Sequence, residues 1–137
     1  MNRKDFFKKA FIGGSVLLFA PTVFSSCTKA SDMLPTNGGT GTIDLTSSSY
    51  ASLKNVGGYA YNGNVIIIRA STTNYIAMSS ICTHQGCTVS YSSSAKKLVC
   101  PCHGAVYNTN GTVLQGPAPS SLKMYTATVN GTTLTIS

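Results

Sequence analysis

Cys82-Thr83-His84-Gln85-Gly86-Cys87 and Cys100-Pro101-Cys102-His103-Gly104 decide how this 137-residue chain is read. The two stretches hold both histidines and four of the five cysteines. Each offers one Cys and one His at ligand spacing, and each has one spare Cys. Each directly follows an apolar β-type run, Ile76–Ser80 before the first and Leu98-Val99 before the second. The 15 residues between His84 and Cys100 are enough for a hairpin out and back. Two loops at the tips of adjacent hairpins can therefore close on a metal from opposite sides. Gly86 and Gly104 supply the backbone freedom that tight loops need, and Pro101 stiffens the second.

Working outward, short β-type runs separated by turn signals dominate the rest. Gly58–Tyr61 and Val65–Arg69 flank Asn62-Gly63, the signal of a type I′ hairpin. Tyr75–Met78, Val89–Ser92, Lys97–Val99, Ala105–Tyr107, Met124–Val129 and Thr132–Ile136 read as further strands. Turns are marked by Ser93-Ser94-Ala95, Asn110-Gly111 and Asn130-Gly131. No helix of useful length is evident. The expectation is an all-β domain of about nine or ten short antiparallel strands, a small sandwich or barrel.

Inventory excludes several functions. There is no Glu, and beyond the linker the only carboxylate is Asp44. Paired-carboxylate hydrolysis, a carboxylate-rich Ca²⁺ or Mg²⁺ site and a Ser-His-Asp triad all lack their parts. The formal charge of +7 is front-loaded: Arg3, Lys4, Lys8 and Lys9 precede an apolar run. From Cys27 onward six Lys/Arg face two Asp, a scattered net +4 with no basic stripe, so no nucleic-acid partner is expected. The remaining chemistry is that of thiolates, imidazoles and the metal they hold. Cys₂His₂ is also a zinc set, so a zinc-bound structural or interaction module stands as the alternative. Mixing Cys and His within each loop suits two distinct irons better.

The paired motif resembles that of the Rieske family, and the likeness covers about residues 42–137. By that resemblance Cys82 and Cys100 hold one iron of a single [2Fe–2S] cluster, and His84 and His103 hold the other. Replacing two thiolates by neutral imidazoles lifts such centres to about −150 to +300 mV. Cys87 and Cys102 resemble the extra pair of the disulfide-containing, cytochrome bc-type subgroup, where they bridge the two loops. Gly116-Pro117-Ala118-Pro119 is similar to the family's proline loop, which covers the cluster, and Leu122 could pack beneath it. Tyr107 matches a tyrosine whose hydroxyl donates to a ligating sulfur. Ala105 departs from a common Ser that donates to a bridging sulfide, which implies a lower potential here. Gln85 departs from a Leu on the docking face of quinol-oxidising subunits. The implied role is one-electron transfer with a redox protein donor and acceptor, in a respiratory or quinol-oxidising chain or as a free shuttle. A terminal ring oxygenase would need further His and carboxylate ligands that this chain does not have.

The first 27 residues read as an export segment: a charged start through Lys9, then the apolar run Ala10–Phe24. Arg3-Lys4-Asp5-Phe6-Phe7-Lys8 resembles the twin-arginine pattern with Lys for the second Arg. Phe24-Ser25-Ser26-Cys27 resembles a lipobox, and Cys27 is the one cysteine the loops do not use. Lipidation, an uncleaved anchor and ordinary cleavage remain as readings. The apolar run of 15 residues would reach only ~22 Å as a helix, short of a ~30 Å hydrocarbon core. Lipidation of Cys27 would tether the protein to the membrane on its periplasmic side. Residues 28–41 read as a flexible linker, and 42–137 as the domain.

Overall fold

The structure, a computed structural model, describes residues 38–137; the export segment, Cys27 and the linker through residue 37 lie outside them. Eleven strands follow one another: β1 Gly41–Asp44, β2 Tyr59–Asn62, β3 Val65–Arg69, β4 Tyr75–Ser79, β5 Ser90–Ser92, β6 Lys97–Val99, β7 Val106–Asn108, β8 Val113–Gln115, β9 Met124–Tyr125, β10 Ala127–Asn130 and β11 Thr133–Ile136. They form three antiparallel sheets, ordered β1-β11-β10, β2-β3-β4-β9 and β5-β6-β7-β8. The all-β expectation holds. Among the described residues no helix is long and apolar enough to cross a membrane.

The run Val65-Ile66-Ile67-Ile68 explains how three sheets share one small domain. Successive side chains of a strand point to opposite faces, and all four of these are fully buried. Val65 and Ile67 join one core with Ile43, Leu134 and Ile136 from the β1-β11-β10 sheet. Ile66 and Ile68 join the other with Val89, just before β5, and with Leu98 and Tyr107 from the β5–β8 sheet. β4 divides in the same way, with Tyr75 and Ala77 on the first side and Met78 on the second. The middle sheet is therefore covered on both faces. Cys82, Cys100, Ala105, Ala118 and Leu122 belong to the second core, so the two Cys/His loops are built on it.

Four features differ from the sequence expectation. The run Met124–Val129, read as one strand, is divided into β9 and β10, which belong to different sheets. Residues Ser48–Lys54 form a 3-10 segment whose Leu53 is buried in the first core. Its last carbonyls lack partners within the segment, as helix ends do. Arg69 Nη1 supplies them, donating to Leu53 and Lys54 oxygens at 3.1 and 2.7 Å. Strands β1 and β8 were also not legible. The β2–β3 hairpin pairs Asn62 with Val65, so Gly63-Asn64 is the turn, and only Gly63 takes positive φ. That is the II′ pattern rather than I′. The Asn130 hairpin turns likewise on Gly131-Thr132.

Gly111 carries the return toward the site. Its N–H donates to Asn108 O, and its own oxygen accepts from the Leu122 N–H at 2.9 Å. It sits at φ +82°, and a Cβ there would lie 2.7 Å from the Leu122 oxygen. Gly111→Ala should therefore cost about 2–4 kcal/mol, combining backbone strain and overpacking. Urea denaturation should show this as a lower midpoint with an unchanged slope.

Candidate metal centre

The two loops adopt the same turn. In the first, Cys82 N–H donates to Cys87 O at 2.8 Å, and Gly86 N–H donates back to Cys82 O at 3.0 Å. In the second, Cys100 N–H donates to Ala105 O at 2.8 Å, and Gly104 N–H donates to Cys100 O at 3.0 Å. The fifth residue of each, Gly86 and Gly104, has φ +75°, a conformation glycine adopts without a Cβ penalty. β4 feeds the first loop and β6 the second.

This shared turn puts the two leading cysteines in the core. Cys82 is 2% exposed and Cys100 1%, both free thiols in the same core cluster. His84 and His103 pair separately, ring centroids 4.7 Å apart and nearly perpendicular. His84 is half-buried and His103 exposed. The structure thus brings together all four predicted ligands as a thiol pair and an imidazole pair. Cys87 and Cys102 are joined in a disulfide with Cα atoms 6.4 Å apart, as the resemblance implied.

The donors fit an iron–sulfur group. His84 Nδ1 is buried with no hydrogen-bond partner, a state that costs free energy unless something else engages the lone pair. A tetrahedral zinc site needs four donors about 2.0–2.3 Å from one ion. Among the described residues the one set of three or more His, Cys, Asp or Glu ligand atoms mutually within 4.8 Å is Cys87, Cys100 and Cys102. Two of those sulfurs are spent in the disulfide. The four free donors are spread as two pairs, which suits a binuclear group.

Tyr107, fully buried on β7, lies over the thiol end. Its Oη is 3.3 Å from Cys82 Sγ, accepts the Thr83 N–H at 3.2 Å, and is 3.2 Å from Thr83 Oγ1. Burial pushes the Cys82 thiol up, but donors from Tyr107, Cys100 and the His84 and Gln85 backbone together hold it below its ordinary value. Burial first, then the Cys82 contact, pushes the Tyr107 phenol up, so the proton stays on oxygen.

The proline loop packs on the same core. Gly116, Pro117 and Pro119 are exposed, while Ala118 and Leu122 are buried in the core beneath. The Gly116–Pro117 peptide is cis. Thr83 Oγ1 donates to Ser120 O at 2.7 Å, tying this loop to the first metal loop. Gln115 Nε2 reaches Gly104 O at 3.4 Å, tying β8 to the second. Sequence reading missed Thr83, Gln115 and Ser120, whose residue types carry no metal signal. The disulfide joins cysteines 15 apart, so Cys87→Ser with Cys102→Ser should lower stability by about 3 kcal/mol. Its denaturation midpoint should be insensitive to added reductant, unlike that of the parent.

A Rieske [2Fe-2S] domain profile matches residues 42–126. The cytochrome b6-f complex iron-sulfur subunit of Synechococcus sp. (strain JA-3-3Ab) is 42% identical over 67 residues, 49% of this chain and 38% of that protein. That of Prochlorococcus marinus (strain AS9601) is 45% identical over 60 residues, 44% of this chain and 34% of its own. The chain therefore spans little more than a third of these curated relatives. Among solved structures, the cyanobacterial plasma membrane Rieske protein PetC3 from Synechocystis PCC 6803 is 35% identical, with TM-score 0.50 over 53% of this chain and 75% of that one. A chain of a hyperthermophilic respiratory Complex III shares the fold at TM-score 0.52 and 23% identity, over 76% of this chain and 79% of its own. With its profile match across more than half the chain and this set of relatives, the chain belongs to the Rieske [2Fe-2S] domain family.

Proposed function

We propose that Cys82 and Cys100 hold one iron of the cluster through their thiolates, and that His84 and His103 hold the other. The observation that carries this reading is the separation of the free donors into a buried thiol pair and an imidazole pair, with His84 Nδ1 left without a partner. As a Rieske domain the chain binds a [2Fe–2S] cluster, which supplies one-electron transfer when bound. The protein's residues set the conditions for that transfer. The disulfide fixes one loop against the other, Tyr107 donates toward Cys82 sulfur, and the core excludes water from the thiol end. The exposed His103 leaves the opposite end accessible to a redox protein.

The tether and the chain it serves are part of the same proposal. Cys27 is lipidated after export, residues 28–41 form the leash, and residues 42–137 carry the centre on the periplasmic side of the membrane. Its donor and acceptor are a cytochrome or quinol-oxidising complex, in keeping with relatives named as subunits of the cytochrome b6-f complex. Gln85 in the first loop and the lipid leash favour a shuttle over a fixed subunit.

The test is iron and acid-labile sulfide analysis with EPR on the full chain, alongside Cys82→Ser and His84→Ala. The parent should carry two irons and two sulfides per chain with a rhombic reduced signal, as a binuclear cluster requires, and each variant, which removes a proposed iron ligand, should lose most of it. A zinc stoichiometry of one with no sulfide would refute the assignment. Detergent phase partitioning should place the parent in the detergent phase and Cys27→Ser in the aqueous phase. A second expectation concerns Ala105, fully buried in the second loop. Ala105→Ser adds a donor toward cluster sulfur and should raise the midpoint potential in protein-film voltammetry.

A further inference from the structure

Three contacts surround the Tyr107 hydroxyl, one from a donor and two from groups that can take its proton. Thr83 Oγ1 has a single hydrogen, and its 2.7 Å bond to the Ser120 carbonyl uses it, because a carbonyl only accepts. Thr83 N–H is directed at Tyr107 Oη, which therefore accepts there. The remaining contact, Thr83 Oγ1 to Tyr107 Oη at 3.2 Å, has only one hydrogen available, that of Tyr107. Yet Tyr107 Oη also lies 3.3 Å from Cys82 Sγ. With Cys82 bound to iron as a thiolate, which can only accept, one phenolic hydrogen faces two acceptors at nearly equal distance, a sulfur and a threonine oxygen.

We propose that Thr83 is a positioning residue that sets how strongly Tyr107 donates to Cys82 sulfur, its own hydroxyl held in the competing direction by the Ser120 carbonyl. The inference rests on the reading of Cys82 as an iron ligand. A donor to a ligating sulfur favours the electron-rich reduced state, because it neutralises part of the added charge. An acceptor that draws the same hydrogen away weakens that effect. Thr83 therefore lowers the potential while its backbone N–H keeps the tyrosine in place. The Ser120 contact links this adjustment to the proline loop: when that loop shifts, the Thr83 hydroxyl is free to rotate and the hydrogen is shared differently.

The experiment uses the full, cluster-loaded chain with Thr83→Val, Thr83→Ala, Thr83→Ser, Tyr107→Phe and the double variant Thr83→Val/Tyr107→Phe. Voltammetry gives the potential, and absorbance with iron analysis gives cluster content. Thr83→Val and Thr83→Ala should shift the potential upward and Tyr107→Phe downward. Thr83→Ser, which keeps the hydroxyl, should match the parent. In the Tyr107→Phe background Thr83→Val should leave the potential unmoved, since the shared hydrogen is gone. Resonance Raman of the Fe–S(Cys) bands should show a larger shift on transfer to D₂O for Thr83→Val than for the parent.

A fall in potential for Thr83→Val, or the same shift with and without Tyr107, overturns the proposal. So does loss of the cluster from both Thr83→Val and Thr83→Ala with Thr83→Ser loading normally, which would make the hydroxyl a structural tie. Failure of the ligand reading is distinguishable: Cys82→Ser would then keep the full cluster signal.

Discussion

The Cys87–Cys102 bond fixes the two Cys/His loops, one at each end of the β5–β6 hairpin, against each other. Each loop maintains its own shape through two backbone hydrogen bonds and one glycine. Neither of those devices controls where one loop stands against the other. Across the gap the His84 and His103 rings meet edge to face, and the Tyr107 hydroxyl, from the strand after the second loop, reaches Cys82 and Thr83, contacts each worth about 1 kcal/mol. A cross-link that closes a loop of this size contributes about 3 kcal/mol. It is the largest single term available to position the loops.

The domain is small, and it solves its burial problem by making the site part of the core. A middle sheet buried on both faces gives two cores from about a hundred residues, where a two-layer fold would give one. The second core runs without interruption from Ile66 and Ile68 through Leu98 to Cys82, Cys100 and Tyr107. Packing that stabilises the fold therefore also excludes water from the thiol end. A cavity under Leu98 would be felt at the sulfurs, and the fold cannot lose stability there without loosening the centre.

Much of this was legible because the informative residues are rare. With two His and five Cys in the chain, their clustering within two short stretches left few assignments. The strand runs were legible because β-branched residues and turn dipeptides alternate at short range. The 3-10 segment was not, since Ser48-Ser49-Tyr50 has no apolar period and its last turn is completed by Arg69, fifteen or sixteen residues away in sequence. β8 was missed because two of its three residues are exposed and show no alternation. The turn type was misread because register, set by Asn62 facing Val65, moved the loop by one residue. Thr83 gave no signal at all: its meaning lies in Ser120, 37 residues on, and no local pattern encodes that contact.

The difference between the two imidazoles follows from where the spare cysteines stand in otherwise matching turns. Both loops place a thiol at their first residue, and both thiols end at 1–2% exposure. In the first loop the disulfide cysteine, Cys87, is the sixth residue, which leaves the third for His84. In the second loop Cys102 takes the third position and His103 moves to the fourth. His84, at the third position, is half-buried with Nδ1 enclosed, while His103, at the fourth, faces solvent as Gln85 does at the fourth position of the first loop. The cysteine that cross-links the loops also decides which imidazole meets solvent. Structural and electronic demands on the second loop are therefore met by a single choice of residue order, Cys102 before His103.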